Sequence, residues 1–556
     1  MKKIVSITSF LFQFISFAIA QSVFAPLSSD YYHLLDRQEI LKGKQAEYHT
    51  SFKPYSREKI AKEFENSPTN LSKVDSFNAN YILQDNIEYL ENKEVNTSKP
   101  LLKYFYKQRN AFWSKIEKDY SLIVNPVINV GAGKSNLLDN RLYINTRGIE
   151  VRGSIAKNIG FYTLLSDNQM AVPGYVNNFI TQSNALPGEG FYKPFKTKGY
   201  DFLSARGYIT LKANKYINLQ FGQDKNFVGN GFRSLVLSDF SNPSLFLKVQ
   251  TQFWKLQYTN LFAQMKSVVG GTNQYYPNKY MALHHLSLNL NKNINIGLFE
   301  SIIFHRNDSI GGANFDFAYL NPIIFYRWAE QNNGSLDNAN IGIDFKINAL
   351  KRLQAYGAVF IDEFLLDDFK ARNGAWTKKQ AVQLGVKYIN VANIKNLDFQ
   401  YEYNRIRPYT YSHFNNGSNY TQYGQALAHP FGANLTEYNT IVNYQPIKRL
   451  QLKAQAIYTV QGVDPDAGLG ATNFGGNIFK SYSQVAGYHL TGNKIWQGVS
   501  YKVLNATLAA SYMFYHNMFL DFSFGNRISS LNGIKTNEKI VMFGLRMNIA
   551  KRNFDF

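Results

Sequence analysis

The chain has 556 residues, of which 15% are aromatic and only 18% charged. This composition argues against a disordered chain and against a typical cytosolic enzyme, and the length fits one large closed architecture as well as several domains. Cysteine is absent, which excludes disulfides, thiolate metal sites and a cysteine nucleophile. The formal net charge of +21 favours an anionic partner: nucleic acid, lipopolysaccharide or an acidic glycan.

Residues 1–20 have the organisation of a secretory signal peptide. Lys2 and Lys3 precede a mostly apolar stretch over residues 4–17, and small residues at 18 and 20 predict cleavage before Gln21. Removing the two lysines lowers the net charge from +21 to +19. Export argues against a nucleic-acid partner, and the high aromatic content then predicts the outer membrane of a Gram-negative bacterium.

Residues 21–120 predict a small, mainly helical domain in the periplasm. Ser56 is a plausible N-cap ahead of Ile60 and Phe64, which lie four residues apart on one helical face. Leu101 to Ile116 is an aromatic-rich amphipathic stretch. The alternative is a partly disordered leader.

From about residue 121 to the end, short segments alternate between apolar and polar residues. Ile217, Leu219 and Phe221 share one parity, whereas Asn218 and Gln220 share the other. The same alternation recurs at residues 245–252, 341–347, 382–388, 397–403 and 541–549. One face of each strand therefore suits lipid and the other suits water.

The connections between these segments distinguish a membrane barrel from a soluble sandwich, because short Lys/Asn-rich turns alternate with long Gly/Asn/Ser/Tyr-rich stretches. The eight short turns are Lys157-Asn158, Asn214-Lys215, Trp254-Lys255, Lys292-Asn293, Lys351-Arg352, Asn393 to Asn396, Lys448-Arg449 and His516-Asn517. They join sixteen strands, and terminal strands near residues 122–130 and 541–549 complete an all-β transmembrane barrel of about eighteen antiparallel strands over residues 121–556. An even number of strands predicts that both ends are periplasmic.

Phe556 is an aromatic residue that follows the last alternating strand. This arrangement resembles the signal that the barrel-assembly machinery reads, so that machinery is an expected partner, together with outer-membrane lipid and lipopolysaccharide. An ordinary edge strand is the alternative, but an exposed apolar edge would invite aggregation.

Strand parity places a set of charges toward the predicted lumen. The cations are Arg152, Arg206, Lys212, Lys248, Lys346, Lys387, Lys453 and Arg546, and the anions are Glu150, Asp224, Asp344, Asp398, Glu402 and Asp521. This near balance favours an internal ion-pair network that fills the pore. A water-filled, ion-selective channel is the alternative. The remaining positive charge would then lie in turns, loops and the N-terminal domain, facing acidic glycans or lipopolysaccharide phosphates.

Two clusters invite a catalytic or metal-binding interpretation, and neither carries it. His285, Ser287 and Asn289 share a strand face, but residues two apart on a strand stand about 7 Å apart, too far for direct hydrogen bonds between short side chains. The acidic residues Asp362, Glu363, Asp367 and Asp368 lack the spacing of a recognised calcium loop and suit a solvated loop tip. The sequence predicts no enzyme, no catalytic residue, no metal and no cofactor.

The segment from residue 222 to 243, GQDKNFVGNGFRSLVLSDFSNP, resembles the signature of the Wzi-like capsule-assembly family. The residues that carry the resemblance are Gly222, Gly229, Gly231, Arg233, Ser234, Leu235, Leu237, Ser238 and Pro243. Phe227, Val228 and Asn230 depart from it, standing where tryptophan, its neighbour and proline are common. The opening PLSSDYYHLLDRQEI, from Pro26 to Ile40, is similar to a Bacteroidota branch that includes a gliding-motility protein.

The resemblance implies an eighteen-stranded outer-membrane barrel with a periplasmic helical domain, which organises exopolysaccharide at the cell surface and is not an enzyme. The Tyr/Asn/Arg-rich loop from Arg405 to Tyr423 suits sugar binding, because aromatic faces stack on sugar rings and planar polar groups bind hydroxyls and carboxylates. An acidic surface polysaccharide is the expected ligand, with a possible link to gliding. The alternative function is a diffusion porin.

Residues 229–238 are predicted to fold inward from the outer rim and constrict the pore. Gly229 and Gly231 supply backbone freedom, and Leu235 and Leu237 supply apolar surface that is costly to leave in water. Arg233 is expected to pair with a lumen carboxylate such as Asp224. A surface hairpin is the competing prediction.

Overall fold

The computed structural model of the chain describes residues 22–27, 31–68, 71–90, 104–156, 158–196, 198–268, 276–305, 315–332, 334, 337–363, 366–465, 473–482 and 490–556. The predicted signal peptide, residues 1–20, lies outside the described residues. No helix in the described part of the chain is long and apolar enough to cross a membrane.

Eighteen antiparallel strands form one closed barrel, which confirms the predicted fold class. The first nine are β1 Tyr120–Ser135, β2 Leu142–Ile155, β3 Ile159–Ala171, β4 Gly199–Lys212, β5 Ile217–Asp224, β6 Ser244–Phe253, β7 Leu256–Lys266, β8 Asn278–Asn289 and β9 Ile294–Phe304. The others are β10 Asn338–Ala349, β11 Leu353–Glu363, β12 Lys379–Tyr388, β13 Leu397–Ile406, β14 Leu435–Ile447, β15 Leu450–Val463, β16 Val499–Tyr515, β17 Met518–Leu531 and β18 Ile534–Met547. The barrel closes where β18 pairs with β1, from Ile540 opposite Ser135 to Met547 opposite Ile128.

Each of the eight predicted short turns joins two consecutive strands at one end of the barrel, which we call the short-turn rim. The strand ends that the long connections join lie at the opposite end, the long-loop rim, as the sequence predicted. The final hairpin is an exception at that rim, because only Asn532 and Gly533 join β17 to β18. Both residues have positive φ, at 47° and 86°, which suits a tight two-residue turn. The last strand consequently begins at Ile534, seven residues before the predicted start.

The predicted alternation of faces is present in the wall. Phe221 and Ile343 are 51% and 40% exposed, whereas the neighbouring Gln220 and Asp344 are 2% and 1% exposed inside the barrel. The outward faces form an apolar band, as expected of strands that meet lipid. The inward faces are mostly polar, except at an apolar cluster inside the barrel that includes Leu261, Leu283 and Phe299.

Three N-terminal helices lie at the short-turn rim: α1 Tyr31–Lys42, α2 Arg57–Glu65 and α3 Lys73–Asp85. The predicted N-cap is correct, because the Ser56 side chain accepts a hydrogen bond from the Lys59 amide at the start of α2. Ile60 and Phe64 are buried in the core of this domain together with Ile82 of α3. Further helices are α4 Gly174–Ser183, α5 Tyr326–Asn332 and α6 Leu366–Ala371, and short strands are Phe52–Lys53, Trp113–Ile116, Lys193–Phe195, Phe227–Val228, Thr421–Gln422 and Gln425–Ala426.

Candidate functional site in the lumen and at the long-loop rim

Residues 225–243 connect β5 to β6 and fold into the barrel; we call them the inward loop. Leu235 and Leu237 are 1% and 6% exposed, packed in a cluster with inward side chains of the wall. Gly229 has a φ of +122°, a backbone conformation that residues other than glycine rarely adopt. A Cβ atom on Gly231 would lie 2.5 Å from Oε2 of Glu402, so only glycine permits this approach to the wall. The loop therefore occupies the lumen and is not a surface hairpin.

The inward loop meets the N-terminal domain inside the barrel. Phe227–Val228 pairs with the short strand Phe52–Lys53 of that domain. The Gly229 amide also donates to the Ser51 carbonyl at 2.7 Å. Elements that enter from the two rims thus form one hydrogen-bonded unit across the lumen.

Two serines of the signature shape the loop. The Ser234 hydroxyl donates to the Val228 carbonyl at 2.5 Å and accepts from the Leu237 amide at 3.0 Å, which holds the loop closed on itself. The Ser238 hydroxyl donates to the Leu427 carbonyl. Pro243 stands immediately before β6, and Gly222 lies within β5.

Arg233 pairs with a different acid from the one predicted. Its Nε and Nη2 atoms lie 3.0 and 3.2 Å from the two carboxylate oxygens of Glu437 on β14, and its Nη1 lies 3.1 Å from Asp555. The predicted partner, Asp224, instead lies 3.9 Å from Arg206. The reason is geometric: the loop crosses the lumen before Arg233 is reached, so the guanidinium meets the far wall.

Residues 548–556, the post-barrel segment, turn back into the lumen. The last strand ends at Met547, and Phe556 is packed against Tyr175, Phe179 and Phe240 at 7% exposure. Phe556 thus follows the last strand, as the sequence indicated, but it lies inside the barrel, and its role as an assembly signal stays a prediction. Salt bridges position the segment inside the barrel, because Arg552 lies 2.9 Å from Glu189 in addition to the contact of Asp555 with Arg233.

Most of the predicted lumen charges form ion pairs, and several of these pairs connect the wall to the N-terminal domain. Lys346 lies 2.6 Å from Glu39, and Lys387 lies 2.7 Å from Asp36. Arg152 joins the two regions by contacting Glu88 of the domain at 3.0 Å while it also contacts Glu150 on its own strand. The acids that fill the lumen thus come in part from the domain, which sequence parity along the strands did not reveal.

The other charges pair within the barrel or lie on aromatic rings. Arg546 lies 2.8 Å from Asp521. The Lys248 ammonium lies 4.7 Å from the centre of the Phe24 ring and donates to Asn226, and the Lys453 ammonium lies 5.8 Å from the Phe232 ring. Lys212, at the end of β4, is partly exposed near the short-turn rim.

The clusters weighed for catalysis have structural partners. His285 lies 2.7 Å from Asp344, whereas Ser287 bonds to His49 of the N-terminal domain, so His285, Ser287 and Asn289 form no catalytic arrangement. Asp362 is buried against Lys379 at 2.8 Å and is not part of a solvated loop tip. Within the described residues, no group of three or more acids and histidines is arranged to hold a metal ion.

Asp85, the last residue of α3, fixes the N-terminal domain to the barrel. Its carboxylate accepts hydrogen bonds from the Tyr31 hydroxyl and Arg57 at 2.8 Å, and from Asn517 in a short turn at 2.8 Å; His516 lies at 3.2 Å. Burial raises the pKa of this carboxyl, but Arg57 and the His516 contact outweigh burial and hold the pKa well below its ordinary value.

We expect Asp85→Asn to loosen the N-terminal domain, because it leaves the buried Arg57 guanidinium without its counterion, at a cost of about 3 to 5 kcal/mol. Limited proteolysis of the folded protein measures this loosening. Folding lowers the pKa of the Asp85 carboxyl. The stability that the ionised carboxylate contributes is therefore complete at pH values well above the ordinary pKa of about 3.9, and it is lost as the pH falls below that value. Glu65→Gln, which removes an exposed charge of the same domain, is the control. It should change neither the rate of proteolysis nor the dependence of that rate on pH.

A cavity of about 560 Å³ remains inside the barrel beside these elements. Its lining includes Arg37 of α1, Phe232 of the inward loop and Arg552 of the post-barrel segment. Residues of both rims contribute, among them Asn517 and Gly188. The lumen is therefore narrowed by packed elements but not completely filled.

The loop predicted to bind sugar is largely buried. Tyr409, Tyr411 and Tyr420 are at most 1% exposed, and the Tyr411 hydroxyl donates to the Leu235 carbonyl of the inward loop. The partly exposed Tyr423 instead lies against Tyr276, with ring centres 4.6 Å apart and ring planes tilted by 42°. The buried tyrosines therefore pack under the loops, and Tyr411 supports the inward loop. Sequence reasoning alone did not distinguish them from tyrosines that are exposed to a ligand.

A different aromatic surface is accessible at the long-loop rim. Tyr192, Tyr276 and Tyr423 are partly exposed. Burial, and secondarily the neighbouring Tyr276, raises the pKa of the Tyr192 and Tyr423 hydroxyls, so the three rings lie close together. Three exposed lysines, Lys193, Lys196 and Lys198, follow Tyr192 in the chain. We call these six residues the tyrosine–lysine rim. Aromatic faces beside mobile cations can stack on sugar rings and attract carboxylates.

Comparison with known proteins identifies the family. The family model of capsule assembly protein Wzi matches residues 166–525, which is more than half of the chain and includes the inward loop. The chain belongs to the Wzi capsule-assembly family. A comparison with curated protein sequences gives no match.

One solved structure supports the fold of this Wzi-family barrel. The structure of Wzi, an outer membrane protein involved in group 1 capsule assembly in Escherichia coli and described as a carbohydrate-binding β-barrel, superposes with a TM-score of 0.57 at 14% identity, covering 96% of this chain and 100% of that one. Pseudomonas aeruginosa OprD matches with a TM-score of 0.42 at 10% identity over 77% and 94% of the two chains. The barrel is an outer-membrane protein.

Proposed function

We propose that this Wzi-family barrel binds an acidic surface polysaccharide and organises it at the cell surface, without catalysing a reaction on it. The observation that carries the proposal is the tyrosine–lysine rim, which presents stacking surfaces and cations together on an otherwise packed barrel. The related Escherichia coli barrel is described as carbohydrate-binding, which supports the same ligand class.

In this proposal the long-loop rim faces outward from the cell and the short-turn rim, with the N-terminal domain, faces the periplasm. Long loops outside and short turns inside are the usual asymmetry of bacterial outer-membrane barrels. Lipopolysaccharide and outer-membrane lipid surround the wall, and the barrel-assembly machinery inserts it. A role in gliding motility follows from the resemblance of the segment from Pro26 to Ile40 to the Bacteroidota branch.

The proposed binding is tested by replacing Lys193, Lys196 and Lys198 together with glutamine. We expect about tenfold weaker binding of an acidic polysaccharide at low salt, because three exposed ion pairs contribute about 0.2 to 1 kcal/mol each. The difference should shrink at high salt, since exposed charges are screened. Binding of purified protein to a polysaccharide of known uronic-acid content measures the effect.

The matched control replaces Lys215, Lys255 and Lys351, three exposed lysines at the short-turn rim, with glutamine. This control changes the net charge equally and should leave binding intact. Equal losses in both variants would mean that overall charge, not the tyrosine–lysine rim, attracts the polysaccharide. Substituting Tyr192 and Tyr423 by alanine should lower affinity at every salt concentration, because stacking is not screened.

A diffusion porin is the second candidate, and the cavity of about 560 Å³ is the observation that keeps it in consideration. A porin requires continuous water through the lumen, whereas a polysaccharide organiser does not. Conductance in a planar bilayer separates the two, because only a porin gives a steady, large conductance.

A further inference from the structure

Residues 315–332, which we call the outer strap, lie on the outside of the barrel wall. Tyr319, Tyr326 and Ala329 of the strap are at most 3% exposed. They pack in one cluster with Phe262 of β7, Tyr280 and Ala282 of β8, and Ile302 and Phe304 of β9. Phe262 stands opposite Leu247 in the sheet, and Leu247 is 37% exposed on the outward face. The strap therefore covers the face that strand parity assigns to lipid.

The strap covers a row of polar residues on that outward face. Asn260, His284 and Glu300 are consecutive cross-strand partners on β7, β8 and β9. The Tyr326 hydroxyl bonds to His284, and a Glu300 carboxylate oxygen accepts from the Arg327 amide at 3.0 Å. Because unpaired polar groups are costly in hydrocarbon, the wall at this position depends on the strap for its partners.

The exposure of the wall residues beside this row shows where the strap lies along the barrel axis. Ile341, the cross-strand partner of Glu300, is 52% exposed, and Leu298, one row nearer the short-turn rim, is 53% exposed. Leu247 continues the apolar surface on the other side of the strap. The strap thus lies within the apolar band that meets the hydrocarbon layer, not above it.

The outer surface of the strap is open in a single chain. Phe317, Ile323, Phe325 and Trp328 are 78%, 81%, 73% and 60% exposed. The stretch 321–325 has no regular helix or strand. Irregular backbone within the hydrocarbon layer is found where protein covers it, because lipid offers no hydrogen bonds. The outer strap therefore has the properties of a protein contact.

We propose that a second copy of this chain covers the outer strap through a two-fold contact within the membrane. The surface is self-complementary, since the Arg327 side chain stands between Phe325 and Trp328 in the sequence and remains 55% exposed while its Nη1 pairs with Glu330 at 2.6 Å. Two-fold symmetry can place the guanidinium of each copy over the rings of the other, an interaction that strengthens when water is excluded. This inference is independent of the polysaccharide proposal.

The absence of cysteine permits a direct test by disulfide formation. Ile323→Cys and Phe325→Cys are made singly in the full chain, and intact membranes are treated with a mild oxidant. We expect a dimer band on a non-reducing gel for both variants. The control is Ile343→Cys on β10, which is 40% exposed on the outward wall beside the strap and should remain monomeric.

Equal dimer formation in the control, or monomer for both strap variants, would overturn the proposal and leave lipid as the occupant. The mass of the unsubstituted protein in mild detergent gives a second measurement that needs no variant. A dimer that Arg327→Glu converts largely to monomer, with heat-modifiable migration retained, supports the contact. A monomer at every protein concentration in detergent, together with no disulfide dimer in membranes, rejects it.

Discussion

Deleting Phe227 to Leu235 from the inward loop is expected to convert a nearly silent barrel into one with a steady, large conductance. The deletion removes Leu235 from the lumen and, with Phe227–Val228, the pairing to Phe52–Lys53 that joins the loop to the N-terminal domain. It also removes Arg233 and with it the salt bridge to Asp555 of the post-barrel segment. The existing cavity of about 560 Å³ would then become continuous with the space that the loop occupied.

Single-channel recording in a planar bilayer measures this effect. A deletion of α6, Leu366–Ala371, in which Asp367, Lys370 and Ala371 are exposed, shortens another connection at the same rim, and it should leave the barrel silent. A silent Phe227–Leu235 deletion would mean that the N-terminal domain and the post-barrel segment suffice to close the pore. A steady large conductance in the unmodified protein would instead support the diffusion porin.

Arg233→Met is expected to cause the largest loss of stability among single substitutions in the lumen. Arg233 and Glu437 form a bidentate pair with exposed fractions of 7% and 0% for their side chains, so the substitution leaves a buried carboxylate without its main counterion. Breaking such a pair by removing one partner costs about 3 to 5 kcal/mol. Denaturant-dependent loss of heat-modifiable gel migration measures the change.

The double variant Arg233→Met with Glu437→Gln should recover part of this loss, because it removes the stranded charge as well. Arg405→Met, which replaces an exposed arginine, is the control and should have little effect. Equal stability of Arg233→Met and the unmodified protein would mean that Glu437 finds sufficient compensation from His429, 3.1 Å away.

Sequence reasoning found Arg233 but missed both of its acids. Glu437 lies on the inward parity of β14, next to the outward Tyr438, and that parity was a usable signal. Asp555 follows the last strand in a segment with no alternation, so no local pattern indicated that it enters the lumen. The tyrosine–lysine rim was missed for a related reason. Tyr411 is buried and Tyr423 is partly exposed, and this difference depends on which other segments pack over the loop.

The sequence by itself determined the barrel, its strand faces and the short turns. Each strand has one face toward lipid and one toward the lumen, so apolar and polar residues alternate with a period of two. It also predicted that the inward loop enters the pore, since two leucines are costly to expose on a hairpin and two glycines give the backbone the freedom to fold inward. Only the tertiary structure decided which acid Arg233 meets, where Phe556 lies and which wall residues the outer strap covers. These depend on contacts between residues far apart in the chain, for which local periodicity carries no information.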